Sequence, residues 1–503
     1  MFTMPESMSN SVVCLLVEMA CSTSHVLSAQ NLFSSLATSQ FAEVADFLLQ
    51  NRILTPGHTT GTFTMDSETR NLIMMELKSM PKFPIHMESL LRLVESKVPA
   101  NPDDLSSINF GGSYPSHTTS ILRILTEVCA EHRLSTSSLD LIVSITSRVS
   151  RILIERGSHI QAGELAKMVL KWGSHALSSK PLASNAIRKG LAIAERYGGQ
   201  LHRAEQLEYE IWKQNGALLG VNHVETLHSL NNYAITLKSQ NRYLEAEEAH
   251  WKALSIKEEI FGPHHLETFV TLTNLGRCLQ AHGLHKFAER HFRRVLEGRQ
   301  SLLGQNDPAI LRSMSNLGDS LYFQGRYQEA EKTYRDCLLG RMTELGKDDL
   351  DTIKIKSNLV IALGYQGKST EAEILHREVI ISFDHLLGPG HYETIRASQN
   401  FARFLSDQHQ YTEAESILRT CTTRAEQSLG LSHPRTFGVW FSIAEVLRRQ
   451  EKYNEGLEFA IRSRDGRIKL FGFQDPDAQN SIRCVEQLLI HIRQGPDASY
   501  SGL

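Results

Sequence analysis

Cysteine is sparse in this 503-residue chain, and none of its seven copies forms a CxxC pair. That spacing supplies neither a zinc ligand set nor a disulfide framework, so a reducing, cytoplasmic home is expected. A basic excess is missing too. The formal charge is -3 and no Lys/Arg-dense run stands out, which argues against nucleic acid or an acidic membrane as partner. Long apolar runs are also absent: residues 12–17 form a short one that ends against Glu18 and follows no Lys or Arg, so it predicts neither a signal peptide nor a membrane span. No GxSxG, HExxH or other paired catalytic pattern occurs. The chain therefore reads as a non-enzyme, with no cofactor and no metal expected.

What the chain does have is repetition. Gly220, Gly262, Gly304, Gly346, Gly388, Gly430 and Gly472 stand 42 residues apart, each after Leu or Phe. A period of that length marks a solenoid, whose units cannot bury their own apolar faces and must stack on neighbours.

Aligned on these glycines, the copies show columns. Asn232, Asn274, Asn316, Asn358 and Asn400 recur, and two residues on comes a small one: Ala234, Gly276, Gly318, Ala402 and Ala444, with Val360 the exception. Leu237, Leu279, Leu321, Leu363, Leu405 and Leu447 follow three later. This is one face of a helix, with the small residue where a second helix comes close. After a polar break, often glycine, a second helix opens at Tyr243, Tyr327, Tyr411 or Tyr453 and carries Ala246, Ala288, Ala330, Ala372 and Ala414, each followed by Glu. The period-marking glycine is expected to end that helix with positive φ. Three residues later stand His223, His265, His391 and His433, or Asp307, Asp349 and Asp475, with proline next in three copies; these predict N-caps followed by Pro at N1.

The small residue, the Leu after it, the Tyr and the Ala of the second helix resemble the tetratricopeptide pattern, and the 42-residue length with L-G-x-x-H/D-P is similar to the repeats of kinesin light chains. Similar arrays form the C-terminal sensors of fungal NB-ARC/TPR receptor-like proteins of the STAND class. The resemblance implies an all-α tetratricopeptide superhelical solenoid acting as a protein-interaction scaffold. The alternative it leaves open is a sensor or regulatory fragment of such a receptor without its NTPase domain.

The expected layout has a winged-helix-like segment over residues 1–98, a Pro/Gly/Ser-rich linker over 99–116 and degenerate repeats over 117–182. An array over 183–471, a capping helix over 472–494 and a disordered tail over 495–503 complete it. Within the first segment, short helices over 33–49 precede strands at 52–54 and 62–65 and a helix over 67–78. The segment resembles the module closing the nucleotide-binding part of those receptors, except that Met65-Asp66 stands where they carry Met-His. In the last copy Glu486 occupies the small position, where a carboxylate would block further stacking.

Two apparent chemical motifs dissolve in this register. Residues 362–369, A-L-G-Y-Q-G-K-S, fit a relaxed phosphate-loop pattern, but Gly367 falls in the interhelical turn that Gly283 and Gly325 occupy in sister copies. The recurring histidines sit at cap positions a repeat apart, too far to share a metal.

Candidate ligand contacts lie on the concave face of the first helix. The Asn column could bond an extended peptide or a neighbouring copy; both readings stand. Beside it, positions six before, three before, one after and four after the small residue carry His228, Lys238, Arg277, Arg312, Lys354, Arg396, Arg403 and Arg448 against Asp319 and Glu445. A basic groove flanked by amides suits an acidic peptide or protein segment. Chaperone-tail-binding relatives place Asn just after the small residue; Ile235, Arg277, Asp319, Ile361 and Arg403 stand there, so that clamp is not expected.

Overall fold

The computed structural model describes residues 26–28, 55–56, 62–64, 92, 95, 136–155, 158–304 and 307–494. The chain divides into two compact units, Met1–Ala194 and Glu195–Leu503.

In the first unit, β1 (Val26–Ser28), β2 (Thr55–Pro56) and β3 (Thr62–Thr64) make an antiparallel sheet in the order β1-β3-β2, with Phe63 opposite Leu27 on one side and Pro56 on the other. β3 lies within the expected strand at 62–65. Pro56 sits on an edge strand, where a missing N–H is tolerated. β1 was not foreseen, because three residues are too few to display alternation. The expectations for residues 52–54, 33–49, 67–78, the linker and the tail fall outside the described residues.

The degenerate helix pair follows as α1 (Thr136–Glu155), α2 (His159–Trp172) and the short α3 (Ser174–Ser178). Ile142, Ile145 and Val149 of α1 and Ala162, Ala166 and Val169 of α2 are buried. α2 breaks at Gly173, which still donates its N–H to Val169 O but lies at ψ 5°.

α4 (Pro181–Tyr197) leads into the second unit, where first and second helices alternate: α5 (Leu201–Leu219), α6 (Val224–Ser239), α7 (Tyr243–Phe261), α8 (Leu266–Ala281), α9 (His285–Leu302), α10 (Pro308–Phe323), α11 (Tyr327–Glu344) and α12 (Leu350–Tyr365). α13 (Ser369–Leu387), α14 (Tyr392–Asp407), α15 (Tyr411–Ser428), α16 (Pro434–Arg449), α17 (Tyr453–Phe471) and α18 (Pro476–Gln494) complete the all-α solenoid.

The caps form as their residue types require. Nδ1 of His223, His265, His391 and His433 accepts the N–H two residues on, and Asp307, Asp349 and Asp475 do the same through a carboxylate oxygen. Six of the period-marking glycines have φ between 87° and 95°. Gly304 is the exception, because Leu303 before it is already extended at φ -123°, ψ 162° and the chain has left α9 sooner.

The small column is where the two helices of a copy interlock. A Cβ on Gly276 would lie 2.6 Å from the Phe292 ring, and one on Gly318 2.5 Å from Tyr334. At the spacing that separates Gly276 from Phe292, Ala402 is followed by Leu418 and Ala444 by Ala460, all buried. Such a fit fixes register, and burying one of these aromatic rings stabilises the fold by about 2–3 kcal/mol.

Two ladders join successive copies. Outside, the glutamate after each alanine reaches the next interhelical turn: Arg242 to Glu205, Arg326 to Glu289, Lys368 to Glu331 and Lys452 to Glu415, at 2.5–2.9 Å. Burial opposes the charge of Glu415, but Lys452, Arg419 and Gln450 outweigh it and hold the carboxyl down to about 2. Inside, a second column binds the start of the following first helix. Lys257, fully buried, reaches Glu267 Oε2 at 2.7 Å; Arg299 and Arg467 donate to Ala309 O and Asp477 O; Arg341 pairs with Asp351 at 3.1 Å.

Two histidines are buried without charge. His250 donates its Nδ1–H to Asn231 Oδ1, and His376 stacks on Phe401. Burial pushes both down to about 3, helped by Lys238 for His250 and Arg403 for His376. Above pH 6.5 each ring is neutral folded or unfolded. Below it the unfolded chain takes up a proton that the folded one refuses, so stability falls by about 1.4 kcal/mol per pH unit per histidine down towards pH 3. Urea midpoints between pH 6.5 and 5 should therefore drop, and His376→Leu should make that drop shallower by one histidine's share. Leucine fits, since Leu418 fills the same place one copy later. An unchanged pH slope in the variant would contradict the assignment.

Candidate ligand groove

Successive first helices (α6, α8, α10, α12, α14, α16) approach one another more closely than successive second helices do. The first helices therefore form the inner, shorter arc of the curve, and side chains on their free faces line a groove. Glu486 is exposed on α18, beyond the last helix pair.

The Asn column divides. Asn358 donates to Asp319 Oδ1 of the preceding copy at 2.9 Å and so serves stacking. Asn232, Asn274, Asn316 and Asn400 are half-buried and make no side-chain hydrogen bond to the described residues. The neighbouring Asn231, also counted on the sequence as facing the groove, is instead buried, donating to Thr271 Oγ1 at 2.8 Å and meeting His250. It is a stacking residue.

The cations divide as well. Four of them are paired: His228 with Glu267 at 2.7 Å, Lys354 with Asp351 at 3.1 Å, Arg396 with Glu393 at 2.7 Å and Arg448 with Glu445 at 2.9 Å. Burial opposes the charge on Glu393, but Arg396 and Lys354 hold it below the usual carboxylate range. The groove is thus less basic than the sequence count implied. Glu267, Asp351 and Glu393 stand in the first turn of their helices, outside the four positions counted, and their side chains reach in.

Lys238, Arg277 and Arg403 have no carboxylate within ion-pair distance among the described residues. Arg277, Arg403 and Arg312 are exposed. Lys238 is half-buried, and burial, then Arg277, then Arg196, push its amine down to about 8. Arg196 belongs to this set although the sequence reading passed over it. It stands one 42-residue period before Lys238, so the repeat itself was the signal. One Nη of Arg196 is buried with no hydrogen-bond partner. Burial pushes the Asp319 carboxyl up, against the Tyr334 hydroxyl and the charges of Arg396 and Arg277.

The phosphate-loop lookalike is a turn between α12 and α13. Gly367 has φ 76°, a helix rather than a strand precedes it, and Lys368 Nζ is held on both oxygens of Glu331 at 2.7 and 2.8 Å. A lysine so engaged and a loop so flanked do not cradle phosphate.

Family models described as tetratricopeptide repeat match residues 225–301, 283–341, 308–380 and 394–435. No curated protein matches the chain. Solved structures that are similar include a putative kinesin light chain with nearly identical TPR-like repeats from Podosopora anserina, at 20% identity and TM-score 0.35, over 41% of this chain and 98% of that one. A Rap protein complexed with Competence and Sporulation Factor is 15% identical with TM-score 0.49, over 77% and 99%. A Signal Transduction ATPase with Numerous Domains carrying a tetratricopeptide repeat sensor, from Pyrococcus horikoshii, is 12% identical with TM-score 0.49, over 92% of this chain and 64% of that one. Among the described residues no helix is long and apolar enough to cross a membrane.

Proposed function

From the tetratricopeptide repeats that make up residues 225–380 and 394–435, we infer a non-catalytic protein-interaction scaffold whose inner groove captures an extended acidic peptide or partner segment. The observation that carries this reading is the pairing of unneutralised Lys238, Arg277 and Arg403 with the unbonded amides of Asn232, Asn274, Asn316 and Asn400 on one surface. Amides of this kind bond a peptide backbone whatever its sequence, and the unpaired cations select carboxylates. Residues already satisfied within the fold, such as Asn358 and Arg396, position the wall and do not meet the ligand.

Fluorescence anisotropy with a Glu-rich peptide, beside a version with every Glu replaced by Gln, tests this. The acidic peptide should bind and weaken as salt rises from about 0.05 M to about 0.5 M, because exposed charges are then screened over a few ångströms. Equal affinity for the two peptides would remove charge as the basis of recognition.

A further inference from the structure

Two contacts within the second unit join residues far apart in the chain. Nε2 of His433 donates to Tyr197 O at 2.9 Å across 236 residues, and Nδ2 of Asn241 donates to Asp475 Oδ2 across 234. They join equivalent parts of the repeat, with the donor on the cap in the first and on the turn in the second. Asn241 stands one period after Gly199, and Asp475 one period after His433, so each rung joins an interhelical turn to the cap of a first helix between five and six copies later.

Each rung is built for its place. A Cβ on Gly199 would sit 3.1 Å from Pro434 Cδ, and the residue has φ 79°, so glycine allows both the close approach and the turn. His433 Nδ1 accepts the Arg435 N–H, which leaves the ring proton on Nε2 for Tyr197 O. Asn241 has φ 61° at a position where three sister copies use Gly283, Gly325 and Gly367. Its Oδ1 accepts from the Tyr243 hydroxyl at 2.7 Å, which aims the amide at Asp475. The other oxygen of Asp475 caps α18.

Two such rungs, one period apart, tie one end of the array to the other across between five and six copies, so they border the groove of the intervening copies on that flank, and a ligand reaches it along the axis or by parting the rungs. We propose that this bordered groove selects a free chain end: it takes an acidic terminus threaded along the axis and rejects the same segment when folded domains flank it on both sides. The proposal rests on the groove reading above and adds which kind of acidic segment is taken.

The probe is one Glu-rich segment, placed either at the C-terminus of a folded carrier or between two copies of that carrier, with association followed on the full chain. The terminal form should bind at least about tenfold faster than the internal one. Asn241→Asp sets a carboxylate against Asp475 while keeping a residue that tolerates positive φ, so it should part the rungs, raise the radius of gyration in small-angle scattering and bring the two rates together. Asn241→Gly, which keeps the turn and removes the amide, shows the same trend if the contact rather than the fold is responsible. Equal rates for the two forms with the wild-type chain overturn the proposal, and so does scattering that does not change in Asn241→Asp. Failure of both forms to bind overturns the groove reading itself, a different result from either.

Discussion

Leucine at position 318 should lower the stability of the array by about 1–3 kcal/mol, the usual cost of overpacking a tight core. The reason is geometric. Even a Cβ at Gly318 lies 2.5 Å from a ring atom of Tyr334, and that ring is fully buried. It is also tied down, because the Tyr334 hydroxyl donates to Asp319 Oδ1 at 2.6 Å and Asp319 accepts Asn358 from the next copy. The ring cannot swing away without loosening the joint between copies, so the damage should spread beyond one helix pair. Stacked arrays lose cooperativity when one interface weakens, so the urea transition should broaden as its midpoint falls. Gln328→Ala, an exposed change a few residues away, should be near neutral. Equal midpoints for the two variants by circular dichroism would show that the small column does not set the packing.

Reversing Arg277 and Arg403 together to Glu should weaken capture of an acidic peptide by about a hundredfold, or about 2.7 kcal/mol, with the helical signal intact. Both side chains are exposed and neither has an ion-pair partner among the described residues, so the substitution removes ligand contacts without breaking a hydrogen bond or ion pair described in the fold. Arg396 illustrates the contrast. A glutamate there would face Glu393, which depends on Arg396 for its charge, and a loss of binding would then report damage to the wall. Retained affinity in the double reversal, with unchanged circular dichroism, would move the binding surface off the inner groove.

Much of this molecule was legible because its organising features are local and repeated. The positive-φ glycines, the His and Asp caps, the small column and the alternation of helices each depend on residues a few positions apart, and several copies in register amplify a weak signal. The lysine of the phosphate-loop lookalike was placed in a turn on the same grounds, and its partner Glu331 belongs to a column visible in the sequence. The buried column of Lys257, Arg299, Arg341 and Arg467 was equally periodic but escaped notice. Phe383 and Ala425 interrupt it, and a basic residue on a helix reads as solvated until its partner is known.

Charge in the groove was decided one level higher. Composition of the inner face overstated its basic character, because the carboxylates that neutralise Lys354 and Arg396 lie one helical turn earlier, at positions that do not themselves face inward. Which cations stay unpaired follows from how neighbouring helices set those side chains. The sequence by itself determined the unit, its caps and its stacking register, since each is fixed by contacts within a copy or with the next. The rungs from Tyr197 to His433 and from Asn241 to Asp475 came from the tertiary structure alone. They depend on the small rotation between adjacent copies added up over a full superhelical turn, a sum that no single copy encodes.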